Sequence, residues 1–280
     1  MSRQIPLDPQ SVAEEDHSSD GVREIAPDLA YRRLGLVNAV FYGPPGQPGW
    51  VLVDAGVAGT RDLILRAAEE RFGADAPPAA IVLTHGHFDH VGALEDLAAR
   101  WEVPVVAHPL EHPYLDGRSS YPPPDPGVGG AMARLSPLYP RGPVDVASHL
   151  EALPSDGSVP AMPGWRWIHT PGHCPGHVSL WREADRALVA GDAVITTEQE
   201  SAYAVARQTP RMHGPPQYFT SDWEAAARSA AALADLKPDL LITGHGPAMQ
   251  GAEMRGALAE LARDFDRVAV PRGRAQAGPE

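Results

Sequence analysis

Apolar and polar positions divide the chain into short apolar runs that read as strands and longer stretches with helical spacing. Runs over residues 31–36 and 37–42 predict two strands, and GPPGQPG, residues 43–49, is a turn made of residues that fix or free φ. Trp50-Val51-Leu52-Val53-Asp54 predicts the next strand, which ends on a carboxylate. A helix follows over 61–72, with Thr60 as its N-cap and Leu63, Ile64, Ala67 and Ala68 on one apolar face. Pro77-Pro78 stops it before the β-branched run Ala80-Ile81-Val82-Leu83, a buried strand, and the spacing from Val91 to Leu97 starts another helix. One more strand is expected over 103–107.

The pattern then breaks. Residues 109–143 are crowded with Pro, Gly and Tyr, and so long an aperiodic stretch inside a domain reads as a cap insertion, with Met132, Leu135 and Leu138 forming one short apolar helix. Strands return over 150–153, 164–169, 177–181 and 187–190, with residues 183–186 as a hairpin loop. An irregular stretch covers 192–220, followed by a helix from Ser221 or Asp222 to about 236, a strand over 239–243 and a last helix over about 252–268. Each half gives strands first and helix–strand units later. The expected fold is therefore α/β, two sheets face to face with helices outside, in a single domain over 21–270, flanked by a flexible arm over 1–20 and a loose tail over 271–280.

The strand at 80–83 and the helix beginning at 91 bracket THGHFDH, a strand-to-helix loop carrying His85, His87, Asp89 and His90. Neutral imidazole nitrogen and anionic carboxylate oxygen together suit a borderline-soft divalent metal. A tight loop can aim alternate side chains at two points, so this one motif can serve two ions. Three later strand ends carry further ligand types: His173 in HTPGHCPGH, Asp192 in VAGD and His245 in ITGHG, each beside a glycine that allows close approach of backbone and ion.

Charge and length narrow the class. The 280 residues are 43% hydrophobic, enough for a full core, and 36 acidic against 23 basic residues give a net charge of −13 without a basic stripe. Nucleic acid is not an expected partner; a small-molecule substrate is. No stretch is apolar for the roughly 18 residues of a membrane span, and the first twenty lack a signal-type apolar core. With Cys174 as the only cysteine, a cytoplasmic protein is expected.

THGHFDH, TPGHCPGH, GD and GHG, in that order and preceded by LVDAG, resemble the metallo-β-lactamase-fold hydrolases, most of all the branch of glyoxalase II-type thioesterases and lactonases. The resemblance implies an αββα sandwich with a dinuclear site, in which His85, His87 and His173 bind one ion, Asp89, His90 and His245 bind the other, and Asp192 bridges them. Asp89 would also orient a metal-bridging hydroxide that attacks a small ester, thioester or lactone. Zinc is the expected metal, with manganese or iron as the other candidates. Asp54 and Thr84 are read as groups that orient ligand imidazoles, and His177 as either a site residue or a structural one.

The chain also departs from members of that branch. Only residues 246–280 follow the last ligand, too few for the helical domain with which glyoxalase II enzymes hold glutathione, and Ile195 stands where acyl-homoserine lactonases carry Tyr. Two other readings share the motif: a mononuclear iron oxidoreductase like the persulfide dioxygenases, and a non-catalytic, metal-stabilised binding domain. A complete second ligand set argues against the first, and open coordination positions argue against the second.

Overall fold

The computed structural model describes residues 4–13, 15–17, 21–199, 201, 203 and 207–271. The chain divides into two compact units: Glu14–Tyr121 with Pro140–Trp167 (the first unit), and Met1–Ala13, Pro122–Tyr139 and Ile168–Glu280 (the second).

The first unit is built on an eight-stranded sheet in sequence order, β2 (Glu15–His17), β3 (Val22–Ala26), β4 (Leu29–Leu34), β5 (Val37–Tyr42), β6 (Val51–Val53), β7 (Ala80–Val82), β8 (Val105–Ala107) and β9 (Leu150–Ala152). Pairing is antiparallel as far as β6 and parallel from β6 to β9. The parallel strands β6, β7 and β8 are short and wholly buried, as expected of strands covered on both faces. Helices Arg61–Phe72 and Leu94–Trp101 make the crossovers between them. Trp50 anchors this core, stacked on Phe72 at 4.5 Å and edge-on to Trp101 at 5.6 Å, with its indole N–H donated to the Ala76 carbonyl.

Two local expectations change. Thr60 makes no side-chain cap; its hydroxyl donates instead to the Val57 carbonyl at 2.7 Å. The buried face of that helix includes Arg71, whose guanidinium pairs with Glu24 and donates to the Gly43 carbonyl, the pairing a buried cation requires. The strand at 150 belongs to this first sheet, alongside β8, and not to the later strand-rich half.

The second unit carries a five-stranded sheet of order β10 (Trp165–His169), β11 (Val178–Arg182), β12 (Ala187–Val189), β14 (Leu240–Ile242) and β15 (Met249–Gln250); the unit boundary falls within β10. Helix Trp223–Asp235 makes the crossover to the parallel pair β12 and β14, and its start is fixed by Asp222, whose carboxylate accepts from the Ala225 N–H at 2.9 Å. Ala226 of this helix lies so close to residue 172 that a Cβ there would come within 2.3 Å of its nitrogen, which is why TPGH needs Gly172. The last helix ends at Arg263, and Phe265–Val268 forms a separate turn of helix.

Part of the expected arm is ordered. Ile5–Pro6 (β1) pairs with Arg211–Met212 (β13), and Ile5 and Leu7 are buried in the second core with Trp181, Leu241 and Phe265. Residues 1–3, 14, 18–20 and 272–280, the rest of the expected arm and nearly all of the expected tail, lie outside the described residues. In the Pro-rich segment the helix Ala131–Leu135 forms, but it buries Ala133, and Ser136 beyond it, while Leu135 and Leu138 are 50% and 80% exposed. Its apolar spacing does not mark its packed face.

Candidate metal centre

The first ligand cluster belongs to the first unit. The parallel register of β6 and β7 continues past Val53, with the Asp54 N–H donated to the Val82 carbonyl, so that Asp54 stands beside Thr84 at the mouth of the THGHFDH loop. Asp54 takes a left-handed backbone conformation, φ 61°. Its Oδ1 accepts from the Thr84 N–H at 2.8 Å, and its Oδ2 accepts from the Thr84 hydroxyl at 2.7 Å and from His90 Nδ1 at 2.8 Å.

These bonds fix two tautomers. A carboxylate only accepts, so His90 carries its proton on Nδ1 and keeps a lone pair on Nε2. The one hydrogen of Thr84 is committed to Asp54, so at 3.0 Å from His85 Nδ1 its oxygen must accept, and His85 is likewise an Nδ1–H imidazole with Nε2 as its ligand atom. A single carboxylate thus sets both rings, one directly and one through a hydroxyl, the support that metal-ligating imidazoles characteristically have.

His85, His87, Asp89 and His90 are all buried. Ligand-capable atoms of His85 and His87, of His85 and His90, and of Asp89 and His90 lie within 4.8 Å of one another. The turn between them is closed by the His90 N–H donating to the His87 carbonyl. Below it, the Gly86 N–H donates to Glu111 Oε2 and to the Tyr121 hydroxyl, both at 3.0 Å, and Tyr121 donates in turn to Glu111. The Tyr121 ring packs on His87 with centroids 4.4 Å apart. Glu111 and Tyr121 are functional candidates that sequence reasoning passed over, because they sit in the Pro-rich segment where no periodicity marks a buried side.

The second cluster belongs to the second unit and is assembled from three strand ends. His173 Nε2 lies 3.4 Å and His245 Nε2 3.1 Å from the same oxygen, Asp192 Oδ2. All three residues are buried. Thr220 donates its hydroxyl to the Pro216 carbonyl at 2.7 Å and so accepts from His173 Nδ1 at 3.2 Å, leaving Nε2 as the ligand atom. The His245 carbonyl accepts from the Thr243 hydroxyl at 2.7 Å and the Thr196 N–H at 3.0 Å, which pins the GHG turn. Thr220, like Glu111, had no signal in the sequence.

Cys174, the chain's single cysteine, is buried beside His173. The rings of His112 and His169 bond to backbone carbonyls. In the irregular stretch Tyr218 is buried and Tyr203 is 69% exposed. Ile195 is buried and bridges to His213.

Five imidazoles and two carboxylates, buried and with at least three of the imidazoles fixed as Nε2 ligands, form a donor set suited to borderline divalent cations. Residues 32–245 match the family model of the metallo-beta-lactamase superfamily. The chain belongs to that superfamily. Its relatives are named as probable metallo-hydrolases, and it carries His/Asp clusters that are candidates for metal binding. It is 50% identical over 235 residues to the probable metallo-hydrolase YflN of Bacillus subtilis, covering 83% of this chain and 89% of that one. It is 30% identical over 196 residues to the probable metallo-hydrolase YybB of the same organism, covering 70% and 74%. Among solved structures, TTHA1623 in a di-iron-bound form matches with a TM-score of 0.52 at 26% identity, covering 81% of this chain and 92% of that one. A beta-lactamase domain protein from Burkholderia ambifaria matches with a TM-score of 0.66 at 21% identity, covering 94% and 79%. This likeness shows the fold, α/β with mixed sheets and flanking helices, the class expected from the sequence. Among the described residues no helix is long and apolar enough to cross a membrane.

Proposed function

We propose that the two clusters together hold two divalent cations and that the protein hydrolyses a small ester, thioester or lactone. In this reading His85, His87 and His173 hold one ion, Asp89, His90 and His245 the other, and Asp192 bridges. The observation that carries it is the position of Asp192 Oδ2, between His173, assigned to the first ion, and His245, assigned to the second. A carboxylate so placed can offer one oxygen to each of two cations and offset their repulsion. The first unit supports the same pairing, since His85 and His90, assigned to different ions, have ring centroids 4.1 Å apart. The named metallo-hydrolases among the relatives and the two irons of TTHA1623 support hydrolysis and a dinuclear site.

When bound, the ions would supply a nucleophilic water near neutral pH and polarise the substrate carbonyl. The chain's own residues do the rest. Asp54 and Thr84 hold the His90 and His85 rings, Thr220 holds His173, and Asp89 orients the attacking water by accepting its hydrogen bond. The Pro-rich segment, residues 109–143, is the proposed cap that shapes the substrate pocket, and zinc is the proposed metal.

The test is elemental analysis of the purified protein together with a panel of lactones, thioesters, aryl esters and phosphodiesters. About two ions per chain and turnover of an ester, thioester or lactone are expected. One iron per chain, with oxygen consumed in the presence of a persulfide, would replace this reading with the oxidoreductase one.

A further inference from the structure

The turn that presents Asp192 is held by several backbone hydrogen bonds, and one of its partners is an imidazole that the ligand assignment does not use. β12 ends at Val189. Beyond it the Ala190 N–H donates to the Ile242 carbonyl at 2.7 Å, and the Gly191 carbonyl accepts from the Gly244 N–H at 2.8 Å. Gly191 turns left-handed at φ 54°, which carries Asp192 out of the ladder and leaves its buried N–H in need of an acceptor away from the sheet. His177 Nε2 takes it at 2.9 Å.

The far side of the His177 ring closes a loop back to the same turn. His177 Nδ1 lies 2.9 Å from the Thr170 hydroxyl, Thr170 lies 2.9 Å from the Ser179 hydroxyl, and Ser179 donates to the Ala190 carbonyl at 2.9 Å. The direction of each bond can be worked out from both ends. A carbonyl only accepts, so the Ser179 hydrogen goes to Ala190. Ser179 then accepts from Thr170, and Thr170 accepts from His177 Nδ1–H. Starting instead from Asp192, a backbone N–H only donates, so His177 Nε2 must be the acceptor and Nδ1 must carry the proton. Both routes give the same neutral tautomer. His177, Thr170 and Ser179 are all wholly buried, so these bonds do not compete with water.

We propose that His177, Thr170 and Ser179 form a hydrogen-bonded clip that grips the turn on either side of Gly191 and fixes the Asp192 carboxylate before any ion arrives. His177 is then a positioning residue and not a ligand, although it is the second histidine of TPGHCPGH. The proposal rests on the reading of Asp192 as the bridge, but the state of the clip can be measured without reference to turnover. Ligands held in place in advance bind an ion without the cost of ordering them, so loss of the clip should weaken metal binding while leaving all seven ligands present.

The experiment is nitrogen-15 NMR of imidazole-labelled protein, metal-free and zinc-loaded, joined to metal titrations of wild type, His177→Leu and His177→Gln. The expected spectrum assigns His177 as the Nδ1–H tautomer in both states, with a coupling across the Asp192 N–H to Nε2 bond. The expected affinity loss is about tenfold or more for His177→Leu, with most of it recovered in His177→Gln, whose amide oxygen can accept from the Asp192 N–H. A zinc-induced change at His177 Nε2 like that of His173 would make it a ligand and overturn the proposal. Wild-type affinity in His177→Leu would do the same. If that variant fails to fold, Ser179→Ala and Thr170→Val carry the test, each expected to weaken binding and to broaden the Asp192 amide; unchanged affinity and an unchanged amide in both would sink the idea. Should wild type bind only one ion while the tautomer and coupling are as expected, the dinuclear reading fails and the clip stands.

Discussion

In the first unit four ligand candidates come from residues 85–90 of one loop, and two of them lean on one carboxylate, Asp54, which reaches His90 directly and His85 through Thr84. In the second unit three candidates come from three strand ends, and each has its own support: Thr220 for His173, His177 for the Asp192 turn, Thr196 and Thr243 for the His245 turn. One cluster has a hub and the other has separate props. A hub concentrates risk, because its removal releases two rings that the proposed site assigns to different ions. Separate props confine damage to one ligand each. The single point where the second cluster is itself concentrated is Asp192, whose Oδ2 lies within 3.4 Å of the Nε2 atoms of both imidazoles.

The largest effect is therefore expected at Asp192. Asp192→Asn keeps the shape and removes the charge, and should lower hydrolytic activity on the order of 100-fold or more while reducing bound metal, with the circular dichroism spectrum unchanged. Asp185→Asn, in the hairpin loop where Asp185 pairs with Arg182 at 2.6 Å, is the control and should leave metal content and turnover as they are. Next comes the hub. Asp54→Asn tolerates the left-handed backbone but cannot accept at both oxygens, so both metal affinities should fall by about 10- to 100-fold in a competition titration. If only one affinity moved, the hub would be no different from a prop.

A smaller and one-sided loss is expected for Thr220→Val, which removes the acceptor for His173 Nδ1 and nothing else near a ligand. One affinity should drop by about tenfold while the other holds. Tyr121→Phe should be milder still. It leaves Glu111 with the Gly86 N–H, costing about 1–2 kcal/mol of stability by thermal melting with metal content unchanged. Last, shortening the Pro-rich segment between residues 122 and 139 should shift KM across a substrate panel without changing metal content. Identical kinetics would show that the segment plays no part in substrate choice.

The contrast also explains what the sequence makes visible. THGHFDH is legible because its ligands are contiguous, its strand and helix flank it, and Asp54 closes a neighbouring apolar run. His173, Asp192 and His245 are legible by their Gly-flanked strand ends. Their supports are not, because a hydroxyl such as Thr220 or a carboxylate such as Glu111 acquires its role only when distant segments meet. The same holds for parts of the fold. β9 is a half-exposed strand of three residues whose place beside β8 is set by its partner and not by its own pattern. Ile5 and Leu7 look unremarkable in a polar stretch, yet they are buried against the second core. Leu135 and Leu138 have helical spacing, but a helix of five residues is too short for spacing to decide which side packs.

The central claim is that the two clusters serve one coupled pair of ions. Electron paramagnetic resonance of the manganese-loaded protein tests it most directly, because two Mn2+ ions joined by a carboxylate exchange-couple and isolated ones do not. The account predicts about two ions per chain with a coupled spectrum, and a change to an uncoupled, substoichiometric spectrum in Asp192→Asn. Two uncoupled ions in the wild type, or a coupled pair that persists in Asp192→Asn, would contradict it.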